Sequence, residues 1–291
     1  MARGKNILVP VDFSETSIVK IEQAVYTAKV VDAEVTVMHA VETYSVNSFI
    51  AKEKYEQDGR DATIEKAVNE KLDELISKIK DKSIVIHKKI AFGKIYQAII
   101  DVAEEINARL IVIGTTGTSR FGKILGTNAS RVVRAARCPV ITMRDKSRVF
   151  KYKNILLPLD FTKETRQKVH IAIETAHQFG SQIHVISVMT SSDEFHVSKL
   201  RAQLNVVKQQ IKESGVPFTA KLMKGKKIAE TILDYAPVVN ADCIFIMTQQ
   251  EIGFVEMMVG TSAEQVINNA MIPVISVRPA KAKEVYYNIF G

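Results

Sequence analysis

IVIGTTGTSRFGKILGTNASRVVRAARCPVITM, residues 111–143, is read as strand, loop, helix and strand. Leu110 to Ile113 is a continuous apolar run of strand length, and Gly114 and Gly117 follow it directly. Gly126, Thr127 and Asn128 stand just before a helical segment, Ala129 to Ala136, and a second strand begins at Pro139. Glycine allows positive φ and lets a ligand approach the backbone closely. Thr and Asn are N-cap types, and a helix N-terminus offers unpaired N–H groups and a partial positive charge. Strand end, glycine loop and helix start together make a candidate phosphate cradle. The same pattern also fits a βα turn whose glycines serve only the turn, and the local sequence does not separate the two.

Outward from this stretch, the chain repeats itself. Lys5 to Ser14 reads KNILVPVDFS and Lys153 to Thr162 reads KNILLPLDFT, with seven of ten positions identical at an offset of 148. Gly126-Thr127 is echoed by Gly260-Thr261, and Cys138-Pro139-Val140-Ile141 by Ile272-Pro273-Val274-Ile275, both at an offset of 134. The chain is therefore a tandem duplication, and a repeat outranks other fold signals because it sets the domain count. The expected domains are residues 1–145 and 152–291, joined by the charged linker Arg144 to Lys151.

Each copy alternates strand and helix. In the first copy, strands are expected at Ile7 to Val11, Glu34 to Val41, Ile84 to Ala91, Leu110 to Ile113 and Val140 to Met143. Ser14 is expected to cap a helix carrying Ile18, Ile21, Val25 and Ala28, and Val46 to Lys82 to hold a long amphipathic one. The second copy has strands at Ile155 to Leu159, Gln182 to Met189, Phe218 to Met223, Ile244 to Met247 and Val274 to Val277. Uninterrupted apolar strands between amphipathic helices imply a parallel sheet covered on both faces. The fold class is α/β: two doubly wound, parallel, five-stranded sandwiches in tandem. Ligands of such sheets bind beyond the carboxyl ends of the strands, where Asp12, Ala40 and Gly114 converge.

Bulk properties exclude several classes. The net charge of +8 favours acidic partners weakly, but no run of five basic residues occurs and a nucleic-acid partner is not indicated. Cys138 and Cys243 belong to no Cys-x-x-Cys pair and read as buried thiols of a reducing compartment. The N-terminal MARGKNILVPVDF reads as a strand and not as a signal peptide, and no apolar stretch reaches 18 residues. A cytoplasmic protein without a membrane partner is expected.

Chemistry-bearing residues are few. Asp12 is either a carboxylate that accepts hydrogen bonds from a base or ribose, or a first-turn acid stabilised by the helix dipole. His39 stands at the predicted ligand edge and reads as a satisfied core histidine. His170 and His177 lie seven apart on one helix without a third ligand, so no metal site is expected. Lys123, Arg131 and Arg134 flank the glycine loop and either contact phosphate or line a solvated face. Thr115, Thr116, Thr118 and Ser119 add hydroxyls to it. There is no Walker A pattern, no Gly-x-Ser-x-Gly elbow and no carboxylate pair spaced for acid–base work, so no catalytic residue is assigned.

NILVPVDFSETS at residues 6–17, VMHAVE at 37–42 and GTTGTSRFGKILGTNASRVVRAARCPVI at 114–141 together resemble the universal stress protein family, as a tandem type with two family domains in one chain. The resemblance implies an adenine-nucleotide alpha-hydrolase-like sandwich that holds ATP, with Mg2+, at its carboxyl edge. It places Asp12 against the adenosine with Pro10 and Ser14 beside it, and gives the Ala40 backbone to the adenine. Gly114 and Gly117 would line the ribose and phosphates, and Gly126, Thr127 and Asn128 would bind phosphates. The family pattern has nine residues between its second and third glycines; here Thr118 to Leu125 number eight. The second copy has the nine, Glu251 to Val259, but Met247 and Gln250 replace the first two glycines, and Glu251 and Glu256 add negative charge. ATP is therefore expected in the first copy only.

Three functions follow in order: a nucleotide-binding sensor or regulator with at most slow ATP hydrolysis; a scaffold or interaction module whose two loops have both diverged; and an ATP-dependent enzyme of the wider fold. The resemblance also implies pairing of the two copies through their last strands, an intramolecular pseudo-dimer, with a homodimer and unnamed protein partners as further options. The tail VYYNIFG, residues 285–291, is apolar and aromatic enough to dock on the chain or on a partner.

Overall fold

The apolar run that opens each repeat becomes the centre of its half of the sheet. The computed structural model describes residues 4–42, 60–115, 126–144, 148–159, 165–190, 192–248 and 261–278. The first half runs β1 (Asn6–Pro10), α1 (Thr16–Val31), β2 (Glu34–Val41), α2 (Arg60–Ser77), β3 (Ile86–Phe92), α3 (Ile95–Glu105), β4 (Ala108–Gly114), α4 (Thr127–Ala135) and β5 (Val140–Met143). The second runs β6 (Asn154–Leu159), α5 (Thr165–Phe179), β7 (Gln182–Met189), α6 (Glu194–Glu213), β8 (Phe218–Lys224), α7 (Ile228–Val238), β9 (Cys243–Met247), α8 (Thr261–Asn269) and β10 (Val274–Val277).

Within each half every pairing is parallel, in the orders β3-β2-β1-β4-β5 and β8-β7-β6-β9-β10. Ile7, Leu8 and Val9 of β1 and Ile155, Leu156 and Leu157 of β6 expose nothing, as expected of strands covered on both faces. β5 and β10 pair antiparallel, Ile141 opposite Ile275, so the two halves form one ten-stranded sheet. One face is covered by α1, α2, α5 and α6, whose Ile21, Leu72, Val169 and Val207 pack on Ile7, Val9, Ile155 and Leu157. The opposite face is covered by α3, α4, α7 and α8 through Ile99, Val132, Ile232 and Val266 over Leu8, Ile111, Leu156 and Ile244. The outermost strands carry lysines, Lys88 and Lys89 on β3 and Lys221 and Lys224 on β8, which discourage further strand addition.

The repeat is visible in the turns. Asp32 after α1 and Gly180 after α5 both take positive φ, as do Asn107 before β4 and Asn240 before β9. Gly4 is needed for another reason: a Cβ there would lie 1.8 Å from the Asn107 carbonyl oxygen.

Three expectations shift. The third strand forms two residues later than expected, over Ile86–Phe92. The long helix expected from Val46 is described from Arg60, and residues 43–59 lie outside the described residues. The expected linker is charged in sequence yet partly buried: Phe150 is 5% exposed, and Tyr152, the residue that follows the linker, is fully buried. Gln23 of α1 explains this. Its Oε1 accepts the Phe150 N–H at 2.8 Å and its Nε2 donates to the Phe150 carbonyl at 3.4 Å. Thr27 Oγ1 meets the Tyr152 hydroxyl at 2.9 Å, and the Tyr152 ring packs on Phe150 and Phe179. Phe150 and Tyr152, between the halves, are thus held by polar and aromatic contacts.

Candidate functional site

The carboxyl edge of the first half is built by three strand ends and one helix start. β1 lies between β2 and β4, so Pro10, Ala40 and Gly114 stand at the ends of adjacent strands on the same edge, Ala40 one residue before the last of β2. Val11 continues the ladder by donating to Met38 O at 2.8 Å. After Gly114, the Thr115 N–H donates to Met143 O at 2.9 Å, and the Gly126 N–H donates to Thr115 O at 2.7 Å. That second bond ties the start of α4 to the end of β4. Gly117, Thr116, Thr118, Ser119 and Lys123 lie outside the described residues.

α4 starts earlier than its sequence suggests. Gly126 is the N-cap, with φ −54° and ψ 143°, so it supplies no left-handed turn. Thr127 and Asn128 occupy the first helical turn and are not caps. The first intrahelical bond is Ser130 N–H to Gly126 O, so the N–H groups of Thr127, Asn128 and Ala129 have no intrahelical acceptor. An anion at this edge would meet those groups and the positive end of the α4 dipole. Thr115 Oγ1, buried at the foot of the same corner, has no hydrogen-bond partner among the described residues.

Asp12 sits on this edge as a pinned carboxylate. Its Oδ1 accepts the Ser14 N–H at 3.2 Å, the Ser14 hydroxyl at 2.6 Å and the Ser17 hydroxyl at 3.1 Å. Lys20 Nζ stands 3.7 Å from the same oxygen. Burial pushes the carboxyl up, but the Ser14 hydroxyl, the Lys20 ammonium, the Ser14 N–H and the Ser17 hydroxyl together outweigh it and leave the group below its ordinary range. Ser14 is accordingly not the cap expected of it: α1 begins at Thr16, Glu15 is its N-cap, and the Ser14 hydroxyl serves Asp12. His39 is satisfied, its Nδ1 2.8 Å from Val11 O and its ring 4.4 Å from that of Phe13.

The cations flanking the loop are engaged elsewhere. Arg134 Nη2 pairs with Glu264 Oε1 of α8 at 3.1 Å, across the junction of the halves, and Arg131 lies over the Tyr96 ring at 4.9 Å. His170 pairs with Glu174, and no group of three metal-ligating side chains occurs among the described residues. Both cysteines are free; burial pushes the Cys138 thiol up to about 12 and the Cys243 thiol well above its ordinary value.

The second half offers a different edge. Met247, where the first half has Gly114, is 5% exposed and fills its strand end. Thr248, the counterpart of Thr115, is satisfied, its hydroxyl donating to Val277 O at 3.3 Å. Asp160, Thr162, Gln250, Glu251, Glu256 and Gly260 lie outside the described residues. One group that sequence reasoning passed over is lysine. Lys20 and Lys168 recur at the repeat offset of 148, and both are buried at the carboxyl edge, Lys168 donating to Pro158 O. The signal was present as a repeated charge on the apolar side of a helix.

The sequence model of the universal stress protein family matches residues 4–144 and again residues 151–278. Universal stress protein MJ0531 from Methanocaldococcus jannaschii is 32% identical over 145 residues, covering 48% of this chain and 82% of that protein. The crystal structure of a universal stress protein from Archaeoglobus fulgidus superimposes with a TM-score of 0.68 at 22% identity, covering 96% of this chain and 100% of that one, and shares the fold. Another Archaeoglobus fulgidus universal stress protein, solved in complex with dAMP, matches 44% of this chain and 99% of its own at 21% identity with a TM-score of 0.40.

Proposed function

Since the chain belongs to the universal stress protein family, with two of its domains in tandem, we propose that it is a cytoplasmic regulator that binds an adenine nucleotide at the carboxyl edge of its first half. The observation that carries this reading is the asymmetry between the two edges. The first joins a strand ending in Gly114, an α4 start whose first N–H groups have no intrahelical acceptor, and a carboxylate held by one oxygen. The second closes the equivalent strand end with the Met247 side chain. A nucleoside would lie against Asp12, Pro10 and Ala40, and phosphates against Gly126, Thr127 and Asn128. Mg2+, if it accompanies ATP, would be held by the phosphates, since no ligand cluster exists among the described residues. Binding without strong catalysis is part of this reading, since the Asp12 carboxylate is held by Ser14 and Ser17 and His39 is engaged by Val11 O. The antiparallel β5–β10 pair supports reading the chain as an intramolecular pseudo-dimer.

A second reading, an interaction module without nucleotide, is favoured by one observation: Arg131 and Arg134 are committed to Tyr96 and Glu264. Titration calorimetry of ATP with magnesium into the full chain, beside the Gly117→Val variant, separates the two. One binding site, lost in the variant, is the expected result. Absence of binding, together with absence of nucleotide in the supernatant of the denatured protein, would hand the function to the second reading.

A further inference from the structure

Lysine is rarely buried unless its ammonium is paired. This chain buries one twice at the same place in its repeat. Lys20 lies eight residues after Asp12 and Lys168 eight residues after Asp160; they are 4% and 2% exposed. Each sits near the start of the first helix of its half, and that start faces the carboxyl edge. In the first half the ammonium stands 3.7 Å from Asp12 Oδ1. Every partner of that carboxylate, the Ser14 N–H and hydroxyl, the Ser17 hydroxyl and Lys20, converges on Oδ1. Oδ2 has no hydrogen-bond partner among the described residues, and the Asp12 side chain is 32% exposed.

We infer that Lys20 is a positioning residue for the nucleotide: it holds the Asp12 carboxylate by Oδ1 so that Oδ2 is left to accept a hydrogen from a hydroxyl or amino group of the nucleoside. This rests on the nucleotide reading above and adds to it a residue that touches no ligand. Serine hydroxyls alone supply two donors, at 2.6 and 3.1 Å, but neither carries charge. The ammonium supplies the charge that balances the half-buried carboxylate and holds it in place. Lys168 is the built-in comparison, an equally buried ammonium in the half whose strand end is closed by Met247.

The test is titration calorimetry of ATP and of adenosine into the full chain, for the wild type, Lys20→Met, Asp12→Asn, the double variant and Lys168→Met. Lys20→Met is expected to weaken both ligands alike by about tenfold, the scale of one hydrogen bond to a charged group. The double variant is expected to bind no more weakly than Asp12→Asn alone, and Lys168→Met to bind as the wild type does. If Lys20→Met fails to fold by circular dichroism, the comparison of Asp12→Asn with the double variant still decides, because that pair removes both charges. Unchanged affinity in Lys20→Met, losses that multiply in the double variant, or an equal loss in Lys168→Met would overturn the role given to Lys20. A wild-type chain that binds neither ligand would instead remove the nucleotide reading, and the inference with it, before any variant is measured.

Discussion

Gln23→Met tests how the two halves are held together. Gln23 is fully buried, and its side-chain amide makes the pair of bonds that holds Phe150 against α1. Methionine has nearly the same length and volume, so the substitution opens little cavity. It leaves the Phe150 N–H without its acceptor among buried aromatic rings, which costs about 1–3 kcal/mol. The bond to the Phe150 carbonyl, at 3.4 Å, is long and adds little. The expected loss is therefore about 2–3 kcal/mol. Tyr152→Phe makes the calibration. It removes one hydroxyl, but Thr27 Oγ1 keeps its bond to Gln23 O at 2.9 Å, so about 1 kcal/mol is expected. Urea unfolding followed by circular dichroism reads both as a lowered midpoint at unchanged slope. Hydrogen exchange should show the Phe150 amide losing protection in Gln23→Met. A loss below about 0.5 kcal/mol, with the Phe150 amide still protected, would refute the claim that this buried pair holds the linker.

Two further outcomes follow from burial. His184 on β7 has Nε2 3.3 Å from Asn154 Oδ1 and Nδ1 2.8 Å from Thr219 Oγ1, and Asn154 Nδ2 donates to Asn240 O, which turns Oδ1 toward the ring as an acceptor. The ring is neutral with Nε2–H as donor, and burial lowers its pKa below 6.5. The unfolded chain then takes up the proton first, so stability is lost as pH falls from the unfolded value through the folded one; urea midpoints measured at pH 7.5 and 5.5 should diverge less in His184→Gln, and an identical divergence would sink the assignment. The native chain should react slowly with a thiol reagent at pH 8, because a thiol near 12 is about one part in ten thousand thiolate there, and two thiols should titrate after denaturation. Rapid loss of one thiol in the native protein would contradict the burial of Cys243 and the raised pKa of the half-buried Cys138.

Much of the architecture was legible because its signals are local. KNILVPVDFS and KNILLPLDFT are apolar without alternation, which only a strand covered on both faces requires, and their recurrence set two halves with one topology. The candidate edge was legible in part. Of the three residues expected at the strand ends, Gly114 ends β4, Ala40 is the last but one of β2, and Asp12 lies two residues beyond Pro10, where β1 stops. The start of α4 was misplaced by two residues because Thr and Asn suit a cap and a first turn alike, and which they occupy depends on the bond from Gly126 to Thr115 across the corner. Arg134 read as a helix residue flanking the loop, free for phosphate or solvent; its partner Glu264 is distant in sequence and becomes a neighbour only when β5 meets β10.

The repeat, the strand and helix alternation and the placing of Ala40, Gly114 and Asp12 at or just past neighbouring strand ends are all properties that chain periodicity encodes. Tertiary structure alone decided which oxygen of Asp12 is occupied, that Lys20 lies beside it, and that Gln23 and Tyr152 bury a charged-looking linker. The reason is physical: a burial pattern along a helix says which side faces the core, while the partner of a buried polar atom is set by distances between chain segments that share no local period.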